Sequence, residues 1–294
     1  MFKQLKTFKC VYESQSFSKA SKKMYISQPA VSSQISYLEE KLGGVRLFNR
    51  NGRKEITITP SGDLLYQKTL DLLDLWQDTK EQVSALNQEN QAHCLCKIGA
   101  SQTVASTIFP QILPWLQEEF PAVEFEVMVA NSEVILEKVE NRFLHFGFIE
   151  KAMSTTTLSR REVMTDELVL AGDPSSSLWL LREEHSGSFY YANQYLENQN
   201  ITPDKKVVLA SNELIVDYLK KGMGQAIISK RYMTDKIPYT TLNQNYVRNF
   251  YLVNRKLFSN DSYLSIHNYL LKILEGLEKV SLEKDTVLEN SSTK

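Results

Sequence analysis

Two groups of residues carry the chemistry this chain can do. Gln28, Ser32, Ser33, Ser36 and Tyr37 recur on one side of a segment whose other side is apolar. These are hydroxyl and amide groups with almost no acid among them. A helix facing only solvent would mix lysine and glutamate there; short hydrogen-bonding groups suit a helix that enters the major groove, about 12 Å wide, and reaches base edges. A second set, Arg50, Arg53 and Lys54, clusters around Asn51-Gly52. Cations at a hairpin tip suit phosphate contact or entry into the minor groove.

Other chemistries find little support. His93-Cys94-Leu95-Cys96 places two thiols on one face of a strand, but no second ligand pair follows at usable spacing. No Gly-x-Ser-x-Gly, Walker A or Gly-x-Gly-x-x-Gly stretch occurs. An enzyme would need acid–base residues in a cleft, and only Glu150 and Asp166 are loosely placed for that. Neither metal nor cofactor is expected.

The elements that hold these residues can be read locally. Leu5, Phe8, Val11 and Tyr12 give residues 3–14 a helical period. A short helix over 19–24 follows, with Ser18 as its expected N-cap and Phe17 as a hydrophobic staple. Ser27 caps the next helix and Pro29 fits its first turn. That helix runs to about Leu42, with Val31, Ile35, Leu38 and Leu42 on one stripe and Gly43 at a left-handed cap. Val45–Arg50 and Lys54–Thr59 flank Asn51-Gly52, a strong hairpin signal. Two helices joined by a tight turn, the second polar and followed by a basic hairpin, form a winged helix-turn-helix pattern. Charge agrees: residues 1–60 hold eleven basic side chains against four acidic, net +7, which leaves −8 on residues 61–294 of a chain whose net charge is −1. A basic head on an acidic body points to a polyanion partner for the head.

Residues 1–62 resemble the N-terminal domain of LysR-type transcriptional regulators. The resemblance is carried by Phe17-Ser18-Lys19-Ala20-Ser21, by Ile26-Ser27-Gln28-Pro29-Ala30-Val31-Ser32-Ser33-Gln34-Ile35, and by Leu38-Glu39-Glu40-Lys41-Leu42-Gly43. Leu47-Phe48-Asn49-Arg50 and Thr59-Pro60-Ser61-Gly62 continue it in the same order and spacing. It implies that Ser27, Gln28, Pro29, Ser32, Ser33 and Ser36 face double-stranded DNA from the recognition helix, with Arg50, Arg53 and Lys54 on the wing. Many members carry a basic residue where this chain has Ser33. The implied organisation is a DNA-binding domain over 1–58, a linker helix over 59–90 that pairs in a homodimer or homotetramer, and an effector-binding domain over 91–294. The linker reads the same way by itself. Thr59 and Pro60 start a helix whose Leu64, Leu65, Leu70, Leu72, Leu73, Leu75, Trp76, Val83 and Leu86 are too many for a lone helix in water.

From residue 93 strands alternate with helices, which predicts an α/β body with parallel sheet. The strands are expected at 94–100, 123–130, 145–149, 167–171, 178–181, 207–210, 225–228 and 250–253. The helices are expected at 103–120, 133–141, 189–198, 213–221 and 263–277. Eight strands in ~200 residues suggest two subdomains. The order resembles the effector-binding region of the same family, which looks like a two-lobed type 2 periplasmic binding protein; lobe I would span about 91–164 and 264–280, and lobe II about 165–263. A ligand in such a fold sits beyond the carboxyl ends of strands, near helix N-termini, where free N–H groups and hydroxyls suit small anions such as carboxylates. The candidate effector contacts are Ser101, Gln102, Thr103, Asn131, Phe148, Ser186, Ser188 and Ser211. Phe189 stands where the family has a basic residue, so an arginine clamp at that point is not expected. Residues 280–294 are polar and are expected to be disordered.

Composition sets the outer bounds. The chain has 294 residues, 42% hydrophobic and 23% charged, enough apolar material for a real core and about two domains. No window approaches the ~18 apolar residues of a membrane span, and the first residues lack an apolar leader, so a cytoplasmic location without membrane contact is expected. Three cysteines fit a reducing compartment. The competing reading is a cytosolic solute-binding protein whose head serves only assembly.

Overall fold

The computed structural model describes residues 1–51, 55–86, 94–151, 153, 155, 157–184, 186–256, 258 and 261–291. The chain divides into two compact units, Met1–Ala92 and His93–Lys294.

In the first unit, helices α1 (Phe2–Ser14), α2 (Phe17–Met24) and α3 (Gln28–Lys41) precede strands β1 (Phe48–Asn51) and β2 (Glu55–Ile58) and helix α4 (Pro60–Leu86). Phe8, Val11, Ala20, Val31 and Ile35 are buried together, joined by Tyr66 and Leu70 from α4. The stripe expected on α3 is buried except at its end, where Leu42 is 44% exposed because the helix has already stopped. Ser27 caps α3 as expected, its Oγ accepting the Ala30 N–H at 3.3 Å. The cap of α2 differs: Ser16, not Ser18, accepts the Lys19 N–H at 3.3 Å, because the helix starts two residues earlier than expected, at Phe17.

The hairpin is tied to this helical core from its base. Buried Glu39 accepts the Leu47 N–H at 2.9 Å and Arg46 Nη1 at 3.2 Å. Thr59 Oγ1 donates to the Arg46 carbonyl at 2.7 Å and accepts the Gly62 N–H at 3.0 Å, so the α4 cap also holds the hairpin. A Cβ at Gly62 would clash with the Leu47 carbonyl oxygen, which is why a residue without one stands there.

The second unit holds nine strands among the described residues, in the order β4-β3-β5-β11-β6-β9-β7-β8 with β10 on β6. In chain order these are β3 (Cys94–Ala100), β4 (Val123–Val129), β5 (Phe146–Ile149), β6 (Leu158–Gly172), β7 (Leu178–Arg182), β8 (Lys205–Leu209), β9 (Gln225–Ser229), β10 (Tyr239–Thr241) and β11 (Val247–Arg255). The helices are α5 (Gln102–Thr107), α6 (Phe109–Glu119), α7 (Ser132–Glu140), α8 (Gly187–Asn198), α9 (Asn212–Lys220) and α10 (Asp261–Ser291).

The sheet is mixed rather than parallel. β3 runs parallel to β4 and β5, and β7 to β8 and β9, whereas β6 and β11 are antiparallel to each other and to their outer neighbours. Those two long strands link two lobes. From Tyr251 onward β11 pairs with β5, so the return to the first lobe comes near residue 250 rather than 263. β6 begins nine residues before the expected strand because Ser159–Glu162 are largely solvent-facing and give no apolar alternation. The helix expected over 103–120 is two helices meeting at Ile108, where Pro110 in the first turn of α6 cannot donate back to α5. α10 continues to Ser291, where disorder was expected from residue 280.

Candidate DNA-binding face and effector cavity

On the head, the buried stripe of α3 fixes which side faces out. Ser27, Gln28, Pro29, Ser33, Ser36 and Tyr37 are exposed and Ser32 is half-buried. The helix is clamped from behind by Thr7, whose Oγ1 donates to Gln34 Oε1 at 2.7 Å. Its hydroxyl-and-amide side is thus presented on a rigid base, with no acidic residue before Glu39. The backbone of Arg50 lies in β1, opposite Ile56 of β2. Arg53 and Lys54 lie outside the described residues, as does His93.

On α4, Leu64, Leu72, Leu75, Trp76 and Val83 are 64, 45, 53, 44 and 51% exposed. Trp76 also stacks on Phe2, with ring centroids 4.9 Å apart. The apolar surplus predicted for the linker therefore lies along one open helix.

In the body, a cavity of about 130 Å³ is lined by Ser101, Gln102, Asn131, Ser132, Glu150, Arg182, Glu183, Ser186, Gly187 and Ser188, with Val129 and Ala130. The N-termini of α7 and α8 meet here. Asn131 Oδ1 accepts the Val134 N–H at 2.9 Å and Ser186 Oγ accepts the Phe189 N–H at 3.1 Å, so both side chains cap their helices while lining the cavity. Gly187 lets α8 approach closely, since a Cβ there would meet Glu150 Oε2 at 2.5 Å.

Three expected contacts are placed elsewhere. Phe148 is fully buried in the core of the first lobe, edge-on to Phe109, because the side chains of β5 point into packed helices. Thr103 is also fully buried; its Oγ1 accepts Arg248 Nη2 at 3.1 Å and Asn212 Nδ2 at 3.3 Å. Ser211 caps α9 by accepting the Leu214 N–H at 3.3 Å and does not line the cavity. Gln102 lines it, but both its amide atoms are engaged with the second lobe: Nε2 donates to the Ala210 carbonyl and Oε1 accepts the Asn212 N–H, each at 3.0 Å.

Sequence reading missed the two arginines of this region. Arg182, at the end of β7, donates to Asn212 Oδ1 at 2.7 Å and to both oxygens of Glu183 at 2.7 and 2.8 Å. It supplies the cationic lining that Phe189 does not. Arg248 is fully buried behind the cavity and donates to Glu150 Oε2 at 2.6 Å and Asp166 Oδ2 at 2.8 Å. Asp166 also accepts Ser229 Oγ at 2.5 Å. Burial works against the charge of Arg248, but the Glu150 and Asp166 carboxylates outweigh it and hold the pKa above its ordinary value. Burial also opposes ionisation of Glu150; Arg248 and the hydroxyls of Ser101 and Thr103 overcome it and lower its pKa. Burial wins at Asp166, whose pKa is raised despite Arg248 and Ser229, with the Glu150 charge adding to the rise. The available signal was a lone cation ending or interrupting an apolar strand, as in Leu178–Arg182 and Val247–Val253.

Two family models match the chain. Residues 2–63 match the bacterial regulatory helix-turn-helix protein, lysR family, and residues 90–256 match the LysR substrate binding domain. The chain belongs to the LysR family of transcriptional regulators. Its head is the family's DNA-binding domain and its body the effector-binding domain. The HTH-type transcriptional regulator CysL of Bacillus subtilis is 30% identical over 268 residues, which cover 86% of this chain and 88% of the relative. The uncharacterized HTH-type transcriptional regulator YeiE of Escherichia coli K12 is 29% identical, covering 82% and 85%. Among solved structures, LysG from Corynebacterium glutamicum with bound effector Arg shares the fold with a TM-score of 0.66 at 17% identity, over 93% of this chain and 98% of that one. CbnR complexed with its target DNA gives 0.55 at 17% identity, over 93% and 99%. No described helix is long and apolar enough to cross a membrane.

Proposed function

We propose that this LysR-family regulator reads duplex DNA with the outward side of α3 and adjusts that binding to a small polar effector held in the body cavity. The observation that carries the reading is the orientation of α3. Its aliphatic stripe is buried and Gln28, Ser33 and Ser36 stand exposed on a clamped helix. Side chains at the start of such a helix reach base edges, and hairpin cations hold phosphate. Ser27, Gln28, Pro29, Ser32, Ser33 and Ser36 are assigned to the groove, and Arg50, Arg53 and Lys54 to the backbone. The exposed apolar edge of α4 is assigned to pairing with α4 of a second copy, in a dimer or a tetramer.

The cavity argues for a small effector. At about 130 Å³ it holds the volume of roughly four waters, far below a drug-sized site. No aromatic side chain lines it. A molecule of a few polar heavy atoms, with an anionic group toward the α7 and α8 N-termini, matches this lining. Ser101, Asn131, Ser186 and Ser188 are its proposed contacts, with Arg182 as the nearby cation. Gln102 acts as a link between the lobes. The charged groups behind the cavity are bound to one another, so Glu150 and Asp166 are not free for acid–base work, which supports a non-catalytic role.

Gel-shift titration against the DNA upstream of the chain's own gene tests this. A salt-sensitive specific band is expected. Gln28→Ala should chiefly relax sequence preference, and Arg53→Ala should weaken binding to every sequence. Absence of a specific band at any protein concentration would overturn the DNA assignment.

A further inference from the structure

The turn between α2 and α3 contains a residue that the fold does not need. Tyr25 is 95% exposed, and among the described residues its side chain makes no hydrogen bond or ring contact. Its backbone is left-handed, with φ 55° and ψ 39°. The turn closes as a Schellman motif: the Tyr25 N–H donates to the Lys22 carbonyl at 3.3 Å and the Ile26 N–H to the Ser21 carbonyl at 3.1 Å. Glycine is the residue that occupies this position without strain, and a side chain there costs about 1 kcal/mol or more. Four non-glycine residues have positive φ among the described residues, and Tyr25 is the aromatic one. A strained, fully exposed aromatic ring contributes nothing to packing, so its use lies outside the chain.

The surroundings say what it meets. Lys19, Lys22 and Lys23 are exposed along α2, and Ser27 and Gln28 open α3 two residues later. In a helix-turn-helix the first helix crosses the DNA backbone while the start of the second reaches the bases. The turn joining them lies over the phosphates that border the groove. We propose that Tyr25 is a DNA-backbone contact, its hydroxyl donating to a phosphate oxygen flanking the base-reading end of α3. This rests on the DNA-binding reading above. The contact is neutral and independent of base sequence, unlike the lysines beside it and unlike Gln28.

The test uses the full chain, a random 40-base-pair duplex as probe, and the variants Tyr25→Gly, Tyr25→Phe and Lys22→Ala. Tyr25→Gly should melt at or above the wild-type temperature, since it relieves the left-handed strain, yet bind about ten-fold more weakly. Tyr25→Phe should lose most of the same affinity. In both, the slope of log affinity against log salt should stay at the wild-type value, whereas Lys22→Ala should flatten it by about 0.9. Wild-type affinity in Tyr25→Gly or Tyr25→Phe would overturn the assignment while leaving the DNA reading intact. A lower melting temperature in Tyr25→Gly would make the tyrosine structural and also overturn it. A wild-type chain that shifts no duplex would remove the DNA reading and this inference together.

Discussion

Asn212 donates its main-chain N–H to Oε1 of Gln102 at 3.0 Å, across the two lobes of the body. The other end of the same amide donates to the Ala210 carbonyl, and Ser106 donates to Glu213 one helical turn further on. Gln102 is therefore fastened to the second lobe while its stem lines the cavity. Two neutral hydrogen bonds contribute about 1 kcal/mol each, enough to bias an equilibrium between closed and open lobes without locking it. Gln102→Ala should broaden and lengthen the distance between spin labels at positions 137 and 220, on exposed faces of α7 and α9. An unchanged distribution would mean that this amide does not hold the lobes.

A second prediction concerns the buried guanidinium. Arg248 satisfies Glu150 and Asp166 at once, with both carboxylates out of solvent. Replacing it by methionine leaves two unpaired carboxylates and should cost about 3–5 kcal/mol. The pH dependence has a definite sign. Without Arg248 both acids have raised folded pKa values, so the folded state binds protons more readily than the unfolded chain, and stability falls as pH rises through those values. Arg248→Met should thus melt closer to wild type at pH 5 than at pH 8. The same loss at both values would mean that the two carboxylates keep ordinary pKa values in the folded variant.

Acid should act oppositely at His145. Its Nδ1 accepts the Lys97 main-chain N–H at 2.8 Å, and its ring stacks on Tyr263 with centroids 4.2 Å apart. Burial, helped by the Lys97 charge, lowers its pKa from 6.5 to about 4. Between those values the unfolded chain takes up a proton that the folded body refuses, so stability is lost as pH falls, by about 3 kcal/mol at the lower end. His145→Asn, whose amide oxygen can accept the same N–H, should remove that part of the acid sensitivity. Melting temperatures measured from pH 7 to 4 decide it; parallel curves for the two proteins would contradict the assignment.

What the sequence made legible was local. Ser27 three residues before Ala30, and the apolar steps Val31, Ile35 and Leu38, specify α3 and its outward side from within fifteen residues. The cavity was half legible: Ser101, Asn131, Ser186 and Ser188 stand at strand-to-helix junctions, which mark where a crevice forms. Phe148 was misplaced because a strand's two faces cannot be told apart when both are buried, as the four residues of β5 are. Arg248 was out of reach for a different reason. It meets Glu150 across 98 residues and Thr103 across 145, and no local pattern signals pairing at such separations.

The exposed edge of α4 yields the last prediction. Leu72 and Leu75 are about half exposed, on a helix about 40 Å long at 1.5 Å per residue. An isolated solvated helix gains nothing from leucines there, whereas burying one against a second copy stabilises by about 1.5–3 kcal/mol. Leu72→Lys together with Leu75→Lys places four like charges along a symmetric pairing seam and should shift the chain toward monomers in sedimentation velocity. Far-ultraviolet circular dichroism should stay unchanged, because the head core is built on Tyr66 and Leu70 from the opposite side of α4. DNA affinity should fall steeply with it, since two heads joined in one dimer bind neighbouring half-sites at a high effective concentration. An unaltered sedimentation profile would place the subunit interface elsewhere.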